Sequence, residues 1–233
     1  GPEDCPDGVT SMNSLKVGKI LEEHQELESS VSENDFLDFR LGIGTLLGQT
    51  DRLTKESIKL CKNNGWKVHT HMLEAREEIV HSVLRWGCRP LQHAQKIGLL
   101  DLEVVAAHMI WTNESDFTLL KQSNVSVVHN PIANMILGSG VCPVQRLRKE
   151  EVNIGIGTDG AASNDSQNMI ESLKITPMLQ KIHHLDPSVM SAKDALKMAT
   201  IEGAKALGIS DIVGSIEPGK RADIALFSNT AEL

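Results

Sequence analysis

Three absences narrow what this chain can be. The four cysteines lie far apart with no CxxC pair, so we expect the reduced thiols of a cytoplasmic protein. No apolar run approaches the roughly 18–20 residues that cross a bilayer, and no charged-then-apolar leader opens the sequence. No block of lysine and arginine is available to bind phosphates, because the net charge is −8 and both signs are interspersed. We therefore expect neither a membrane nor a nucleic acid among its partners.

What is present is an ordinary globular composition. Hydrophobic residues make up 40% of the 233 positions, which is enough for one large domain with a sizeable core. Residues 1–38 are polar, and the spacing of their leucine and isoleucine residues favours a helix over Ser14–Leu27. Apolar β-type runs then recur, and we expect strands at Phe39–Gly44, Trp66–His71, Val104–His108, Val125–His129 and Val152–Thr158.

Helix-like segments fill the gaps between these strands. Thr54 is expected to cap a helix that runs through Asn64 and ends at Gly65. Further helices are expected at Ala75–Trp86, Pro90–Ile97, Ser115–Gln122 and Val144–Glu151. Strand and helix alternate in units of about 25–35 residues, a pattern that indicates right-handed crossovers and a parallel sheet.

Two α/β architectures fit this alternation: a doubly wound open sheet and a (β/α)8 barrel. A nucleotide-binding open sheet usually has a glycine-rich turn after its first strand, but "LGIGTLLG" at Leu41–Gly48 lacks the GxGxxG spacing. Polar residues instead end four successive apolar strands, namely His71, His108, His129 and Asp159. Barrel enzymes carry their chemistry at this C-terminal face, so the pattern favours the barrel.

The run "VHTHMLEAREE" at residues 68–78 suggests what those strand ends do. Taken alone, it fits a solvated strand end equally well, since buried ionisable groups are costly unless paired. Imidazoles and a carboxylate that converge at the C-terminal mouth of a barrel are, however, what a divalent zinc or iron site requires. Glu74, three residues beyond His71, could shuttle protons without binding metal, and Asp159 is placed to accept the proton of a water. His69 is interpreted as structural, facing away from His71.

Four segments resemble the amidohydrolase superfamily: "VHTHMLEAREE", "VVAAHMIW", "VSVVHNPIANMILGSGVCPVQRL" and "VNIGIGTDGAASNDSQNM". Within it they are similar to methylthioadenosine/S-adenosylhomocysteine deaminases and to triazine hydrolases such as atrazine chlorohydrolase. The resemblance runs from about Leu41 to Phe227 and includes "GSIEPGKRADIALF" at Gly214–Phe227. It implies strands four to eight of a (β/α)8 TIM barrel over residues 39–210. Residues 211–233 would form a strand of a small β-sandwich.

The resemblance also implies roles at the matched positions. His71 and Asp159 would bind one divalent metal, zinc or alternatively iron, with His108 as a third ligand. Glu74 would be the acid/base residue that hydrogen-bonds the substrate ring. His108 would orient or polarise the hydrolytic water, and Asp159 would accept its proton.

Other positions match less closely. His129 and Asn130 would lie in the loop after strand seven, where binding substrate and stabilising the loop are equally supported. The family's first strand carries an HxH pair of metal ligands, but the only HxH here is His69-Thr70-His71. A barrel of this kind needs about 250 residues, so we expect most of strands one to three to be missing. The deaminases carry a substrate-contacting histidine on the loop after strand four, but this sequence has "GIGTLLGQTDRLT" there, without a histidine. Ala133 stands where the family often has serine.

Two hypotheses follow. The first is a metal-dependent hydrolase that deaminates, or dechlorinates, an amino- or halo-substituted purine-, pyrimidine- or triazine-like ring. The second is an incomplete, non-catalytic module that binds a ligand or complements a partner. A cytidine-deaminase type of site is excluded, because its HxE and PCxxC motifs are absent. We expect the chain alone to be inactive and to form a homo-oligomer or to pair with an N-terminal fragment.

Overall fold

One parallel sheet organises residues 17–227, the part of the chain that the computed structural model describes. Its strands are β1 (Arg40–Thr45), β2 (Lys67–Met72), β3 (Val104–His108), β4 (Val125–His129) and β5 (Ile154–Ile156). Their order in the sheet, β1-β2-β3-β4-β5, repeats their order in the sequence, and each neighbouring pair is parallel. The five expected strands are therefore confirmed, and only β5 is shorter than expected.

Helices precede, connect and follow the strands. Up to β5 they are α1 (Val17–Val31), α2 (Asp51–Asn64), α3 (Glu77–Trp86), α4 (Pro90–Lys96), α5 (Glu114–Lys121), α6 (Pro131–Ile136) and α7 (Val144–Lys149). After β5 come α8 (Ala161–Asn164), α9 (Met169–His184), α10 (Ala192–Ala199) and α11 (Ile201–Ala206). Between residues 17 and 227 no helix combines the length and apolar character that crossing a membrane requires.

Alternation along β1 and β2 separates a packed face of the sheet from an open one, whereas β3 and β5 are buried at every position. In β2, Val68, Thr70 and Met72 are buried, whereas His69 is exposed, because successive side chains of a strand point to opposite faces. The buried strand residues share one core with the helices, which contribute Ile58, Cys61, Leu91, Ala94, Phe117, Leu120, Val144 and Leu147. The open face of β1 and β2 leads up to the strand ends that carry the ionisable residues.

The start of α2 corrects one expectation. Thr50, not Thr54, is the N-cap, and its hydroxyl oxygen accepts the N–H of Leu53 at 3.1 Å. Thr54 lies inside the first turn, where its hydroxyl donates to the carbonyl of Thr50 at 3.2 Å. Both positions offer a hydroxyl, and burial of Thr54 at 3% exposure places it on the core side of the helix. The expected end at Gly65 is confirmed, since this residue has the left-handed φ of 69°.

The sequence reasoning assigned no helix beyond Asp159, whereas the structure has four. The longest, α9, contains Pro177, a residue that usually ends or kinks a helix. The segment from α10 to α11 packs on β5, where Gly155 leaves room for it. A Cβ at Gly155 would lie 3.3 Å from the Cα of Gly203, so the missing side chain allows this close approach.

The C-terminal segment differs from its expectation. Between residues 207 and 227 the described chain forms turns and irregular backbone but not the strand implied over Gly214–Phe227. Leu226 is 93% exposed and Ile224 53% exposed. A strand needs a neighbour for its N–H and C=O groups, and the described residues supply none here. The N-terminal helix, expected from Ser14, is seen from Val17 to Val31, and residues 14–16 lie outside the described part.

Candidate metal centre

The C-terminal ends of β2, β3 and β5 bring three ionisable side chains together. His71 is the last residue but one of β2, His108 ends β3, and Asp159 follows β5 by three residues. One ligand atom from each lies within 4.8 Å of the others. Parallel strands end at the same edge of a sheet, which is why residues up to 88 positions apart in number meet here.

His71 is oriented by a bulge in the neighbouring strand. Between Ile43 and Thr45 the pairing of β1 with β2 shifts, which leaves Gly44 as the extra residue. The carbonyl oxygen of Gly44 lies 2.9 Å from Nδ1 of His71. A carbonyl oxygen can only accept, so Nδ1 carries the proton and Nε2 keeps a lone pair for a metal.

His108 is oriented in the same way by a side chain. Its Nδ1 lies 2.8 Å from Oδ1 of Asn134, a residue of α6 that is only 1% exposed. Nδ1 therefore donates, and Nε2 is the free nitrogen. Nε2 is buried without a hydrogen-bond partner among residues 17–227. The carboxylates nearest to it belong to Glu74, with Oε2 at 3.7 Å, and Asp159, with Oδ2 at 3.9 Å.

The two carboxylate oxygens of Asp159 have different partners. Oδ1 accepts the N–H of Gly160 at 2.9 Å, while Oδ2 faces His108. The backbone of Asp159 is left-handed, with φ of 63°, a conformation that costs a non-glycine residue about 1–2 kcal/mol. His108 shares this feature with φ of 74°. Strain of this kind is concentrated at functional sites in proteins.

Glu74 lies in the loop after β2, and its carboxyl group is 26% exposed. Like the carboxyl group of Asp159, which is 18% exposed, it is close to His108 and partly open to solvent. A carboxyl group in this position can reach a bound molecule and exchange protons with it. The geometry thus brings together all four residues expected in the metal and acid/base roles.

His129 and Asn130 are placed differently. His129 ends β4 at 0% exposure, and neither of its ring nitrogens has a partner among the described residues. Burial, with a smaller effect of the nearby His108, lowers the pKa of His129 to about 3, so the ring is neutral at pH 7. Asn130 is 3% exposed and packs against Gly157. A substrate-binding role for these two residues stays a prediction.

The interpretation of His69 was wrong in its geometry. Positions two apart on a strand share a face, and the rings of His69 and His71 lie 5.7 Å apart, nearly perpendicular. His69 therefore belongs to the open face below the centre. Loss of solvation first, and then the neighbouring His71 and Arg40, lower the pKa of His69.

The donor set fits a divalent metal. His71 and His108 each present Nε2, and Asp159 presents a carboxylate oxygen, which are preferred ligands of zinc and iron. The buried, unpartnered Nε2 of His108 is the specific observation, because a polar atom without a partner there costs about 1–3 kcal/mol. A cation bound between the three side chains would satisfy it.

Sequence reasoning missed the residues that hold the centre in place. Gly44 and Asn134 orient the two histidines, and the carboxylate of Glu78 accepts the N–H groups of Leu73, Glu74 and Ala75. Asn134 left a signal, since it is the single polar residue in the otherwise apolar helix sequence "PIANMI". Gly44 left none, because a bulge depends on how two strands pair.

Comparison with known proteins gives a consistent result. A model of the amidohydrolase family matches residues 13–232. The chain is 41% identical to a 5'-deoxyadenosine deaminase of Methanobrevibacter smithii, over 71% of this chain and 38% of that protein. It is 43% identical to a 5-methylthioadenosine/S-adenosylhomocysteine deaminase of Desulforudis audaxviator, over 69% of this chain and 37% of that protein.

A solved structure agrees with the sequence matches. An adenosine deaminase from Xanthomonas campestris with bound zinc superimposes with a TM-score of 0.85 at 32% identity. The superposition covers 88% of this chain and 47% of that one. The chain thus spans about two fifths of the length of the two curated relatives and just under half of this structure. The expected α/β fold, the C-terminal part of a TIM barrel, is confirmed.

Proposed function

Since this chain belongs to the amidohydrolase family, we propose that its protein is a metal-dependent hydrolase that removes an amino group from a purine-type ring. The observation that carries this proposal is the convergence of His71, His108 and Asp159 within 4.8 Å, with Glu74 3.7 Å from His108. Three metal-type ligands beside a partly exposed carboxyl group are the parts that hydrolytic deamination needs.

The metal assignment follows from the donor set. We assign His71, His108 and Asp159 as the ligands in this chain, and zinc as the metal, because two imidazoles and one carboxylate suit it. A bound divalent cation supplies a Lewis acid that lowers the pKa of water in the centre from its bulk value towards about 7. Iron accepts the same ligands, so zinc is a choice to be tested.

The side chains then divide the proton transfers. Asp159 accepts the proton of the attacking water through Oδ2, the oxygen that is not bound to Gly160. Glu74 donates a proton to the ring nitrogen next to the carbon that is attacked, which makes that carbon more electrophilic. His108, whose Nδ1 is bound to Asn134, would orient the water by holding the cation in place through Nε2. The water oxygen bonds to the ring carbon, and the carbon–nitrogen bond to the exocyclic amino group then breaks as this group takes the proton held by Asp159. The new hydroxyl group gives its proton to Glu74 as it becomes a carbonyl, which restores Glu74, and ammonia leaves.

The substrate class comes from the relatives. Their names specify 5'-deoxyadenosine, 5-methylthioadenosine and S-adenosylhomocysteine, which share a 6-aminopurine ring joined to a sugar. We propose that the protein acts on a nucleoside of this kind, with His129 and Asn130 supporting the pocket wall. Deamination is favoured over dechlorination because both of these relatives are deaminases.

The experiment uses the full-length protein encoded by the gene that contains this chain. Zinc is measured by elemental analysis after gel filtration, and ammonia release is followed with adenosine, 5'-deoxyadenosine and 5-methylthioadenosine. Removal of metal with a chelator should abolish the release, and added zinc should restore it more fully than iron. A protein that holds its metal and releases no ammonia from these nucleosides would contradict the proposal.

A further inference from the structure

One carboxylate holds the loop that carries Glu74. Glu78, in the first turn of α3, accepts three backbone N–H groups in a row. Its Oε2 accepts from Leu73 at 2.8 Å, and its Oε1 accepts from Glu74 at 2.7 Å and from Ala75 at 3.0 Å. Hydrogen bonds to an ionised acceptor are roughly twice as strong as neutral ones. Both oxygens of this side chain are therefore committed to the loop.

The loop would not keep this shape without support. Leu73 has φ of 54°, the left-handed region, and its side chain is fully buried at 0% exposure. A left-handed backbone is unfavourable for leucine, because its Cβ comes too close to a carbonyl oxygen. The carbonyl of Leu73 accepts from Ile110 at 2.9 Å and from Trp111 at 3.1 Å. Glu78 thus fixes the N–H side of a turn whose C=O side is tied to the loop after His108.

This turn decides where the Glu74 side chain points. Its Oε2 lies 3.7 Å from Nε2 of His108, at the edge of the centre. The peptide N–H of Glu74 is itself bound by Glu78, so the base of the side chain is fixed one residue from the strained turn. We propose that Glu78 is a positioning residue, which acts on the reaction only by aiming the carboxyl group of Glu74. The proposal rests on the proposed function.

A neighbour provides the matched control. Glu77 occupies the same first turn of α3 and has the same charge, but its side chain is exposed and is not among the acceptors of the loop N–H groups. The variants are Glu78→Gln and Glu77→Gln. Glutamine keeps the size of the side chain but replaces one acceptor oxygen by an NH₂ donor, which faces backbone N–H groups. Only the change at residue 78 should disturb the turn.

The first measurement separates rate from binding in the full-length protein. For Glu78→Gln we expect kcat to fall about 10- to 100-fold, the range typical of residues that orient an active-site group, with little change in KM and in zinc content. Glu77→Gln should match the wild type. Thermal unfolding is recorded for both variants, and rates are compared well below either midpoint. Unchanged kcat in Glu78→Gln with a lowered Tm would overturn the proposal, because the role would then be purely structural.

The second measurement asks whether Glu78 acts through Glu74. If it does, the double variant Glu74→Gln/Glu78→Gln should be no slower than Glu74→Gln alone, since no carboxyl group is left to aim. Multiplication of the two losses in the double variant would show that Glu78 acts elsewhere and would overturn the inference.

A third measurement does not depend on activity. Amide hydrogen exchange at Leu73, Glu74 and Ala75 should accelerate in Glu78→Gln and not in Glu77→Gln. If the wild type releases no ammonia while exchange behaves in this way, the proposed function fails and the anchoring of the loop stands. If exchange at these three amides is unchanged, the anchoring itself fails, whatever the activity.

Discussion

Two histidines of the centre are prepared for a metal before any metal binds. In His71 a backbone carbonyl fixes the proton on Nδ1, and in His108 the side-chain oxygen of Asn134 does the same. Both rings are thereby held in the tautomer that leaves Nε2 free, and they stack at 5.5 Å between centroids. Partners of this kind typically change metal affinity or activity about 10- to 100-fold when they are removed.

Asp159 gives the first prediction. Asp159→Asn in the full-length protein should lower turnover by orders of magnitude, because an amide neither accepts the proton of water nor neutralises a cation. The hydrogen bond to Gly160 can be kept by the amide oxygen, so the circular dichroism spectrum should match the wild type. The measurement is kcat together with zinc content. A variant with near-normal rate and full metal content would rule out both roles of Asp159.

The second prediction concerns Glu74. Glu74→Gln should lose rate strongly while zinc, determined by elemental analysis, stays at the wild-type level, because this side chain is assigned to proton transfer and not to the metal. Loss of zinc in the variant would make Glu74 a ligand instead, and its assigned role would be wrong.

Which residues come together at the centre was predictable only where the side-chain chemistry and the position at a strand end coincide. His71, Glu74, His108 and Asp159 follow strands in the sequence, and the structure brings them together. Asn134 and Glu78 act through hydrogen bonds to groups that only the fold brings near, so the sequence does not show their partners, even where Asn134 stands out as the single polar residue of its helix. His69 was misjudged because residues two apart on a strand lie on the same face of the sheet, whereas His69 and His71 were expected on opposite faces.

At the scale of elements, the next prediction concerns Thr50 as the N-cap of α2. Thr50→Ala should lower the free energy of unfolding by about 1 kcal/mol, since the N–H of Leu53 loses its acceptor. Thr118→Ala, at an exposed position inside α5, is the control and should cost clearly less. Urea unfolding of both variants gives the comparison. A loss at residue 50 that is no larger than the loss at residue 118 would argue against Thr50 as the cap.

The stacking of α4 on α3 should make the stability of the fold depend on pH. His93 of α4 stacks on Trp86 at 3.8 Å, and burial is the main cause that lowers its pKa below 6.5. A lowered pKa in the folded state means that the unfolded chain binds the proton more readily. The stability that His93 contributes is therefore complete above about pH 6.5 and is lost as the pH falls below it.

His93→Phe keeps an aromatic ring on Trp86 and removes the titration. Between pH 7.5 and 5.5 the midpoint of urea unfolding should fall less in this variant than in the wild type. His81→Phe, at an exposed position of α3, is the control and should follow the wild type. Equal slopes for His93→Phe and wild type would contradict the prediction.

Element boundaries were predictable where strong local signals exist. Gly65 ends α2 as expected, and all five strands lie where apolar runs indicate them. The region after Asp159 was harder to predict. In α9 an internal proline conceals the helix, and α11 packs on β5 where Gly155 meets Gly203. The start of α10 does carry a local signal, the capping box of Ser191 and Asp194, which the sequence reasoning did not use. The strand implied over residues 214–227 needs a partner strand, which the described chain does not contain.

The whole molecule is an open sheet whose two outer strands, β1 and β5, each pair on one side within the described residues. Unpaired strand edges invite association with other chains. The three ligands also come from one side of the mouth, and Asp159 remains partly exposed. We therefore predict that the 233-residue chain alone self-associates, binds zinc weakly or not at all and is inactive on purine and triazine substrates.

Gel filtration with light scattering, followed by elemental analysis, tests this prediction on the purified chain. Weak zinc binding is expected because the two first-strand histidines that the family adds to the site are not found in this sequence, and much of the binding free energy of a metal depends on how completely its ligands are held. A monomer that carries one equivalent of zinc and deaminates purine nucleosides would contradict it.

The sequential order of the sheet also has a consequence for synthesis on the ribosome. Each of β2 to β5 pairs with the strand translated just before it, so a nascent chain can add strands one at a time without waiting for distant sequence. The ligands are not acquired so evenly. His71 and His108 emerge early, but Asp159 follows the last strand of the sheet. On the proposed ligand assignment, the set is complete only after all five strands have been made, and a chain terminated before Asp159 would carry the two histidines without the carboxylate.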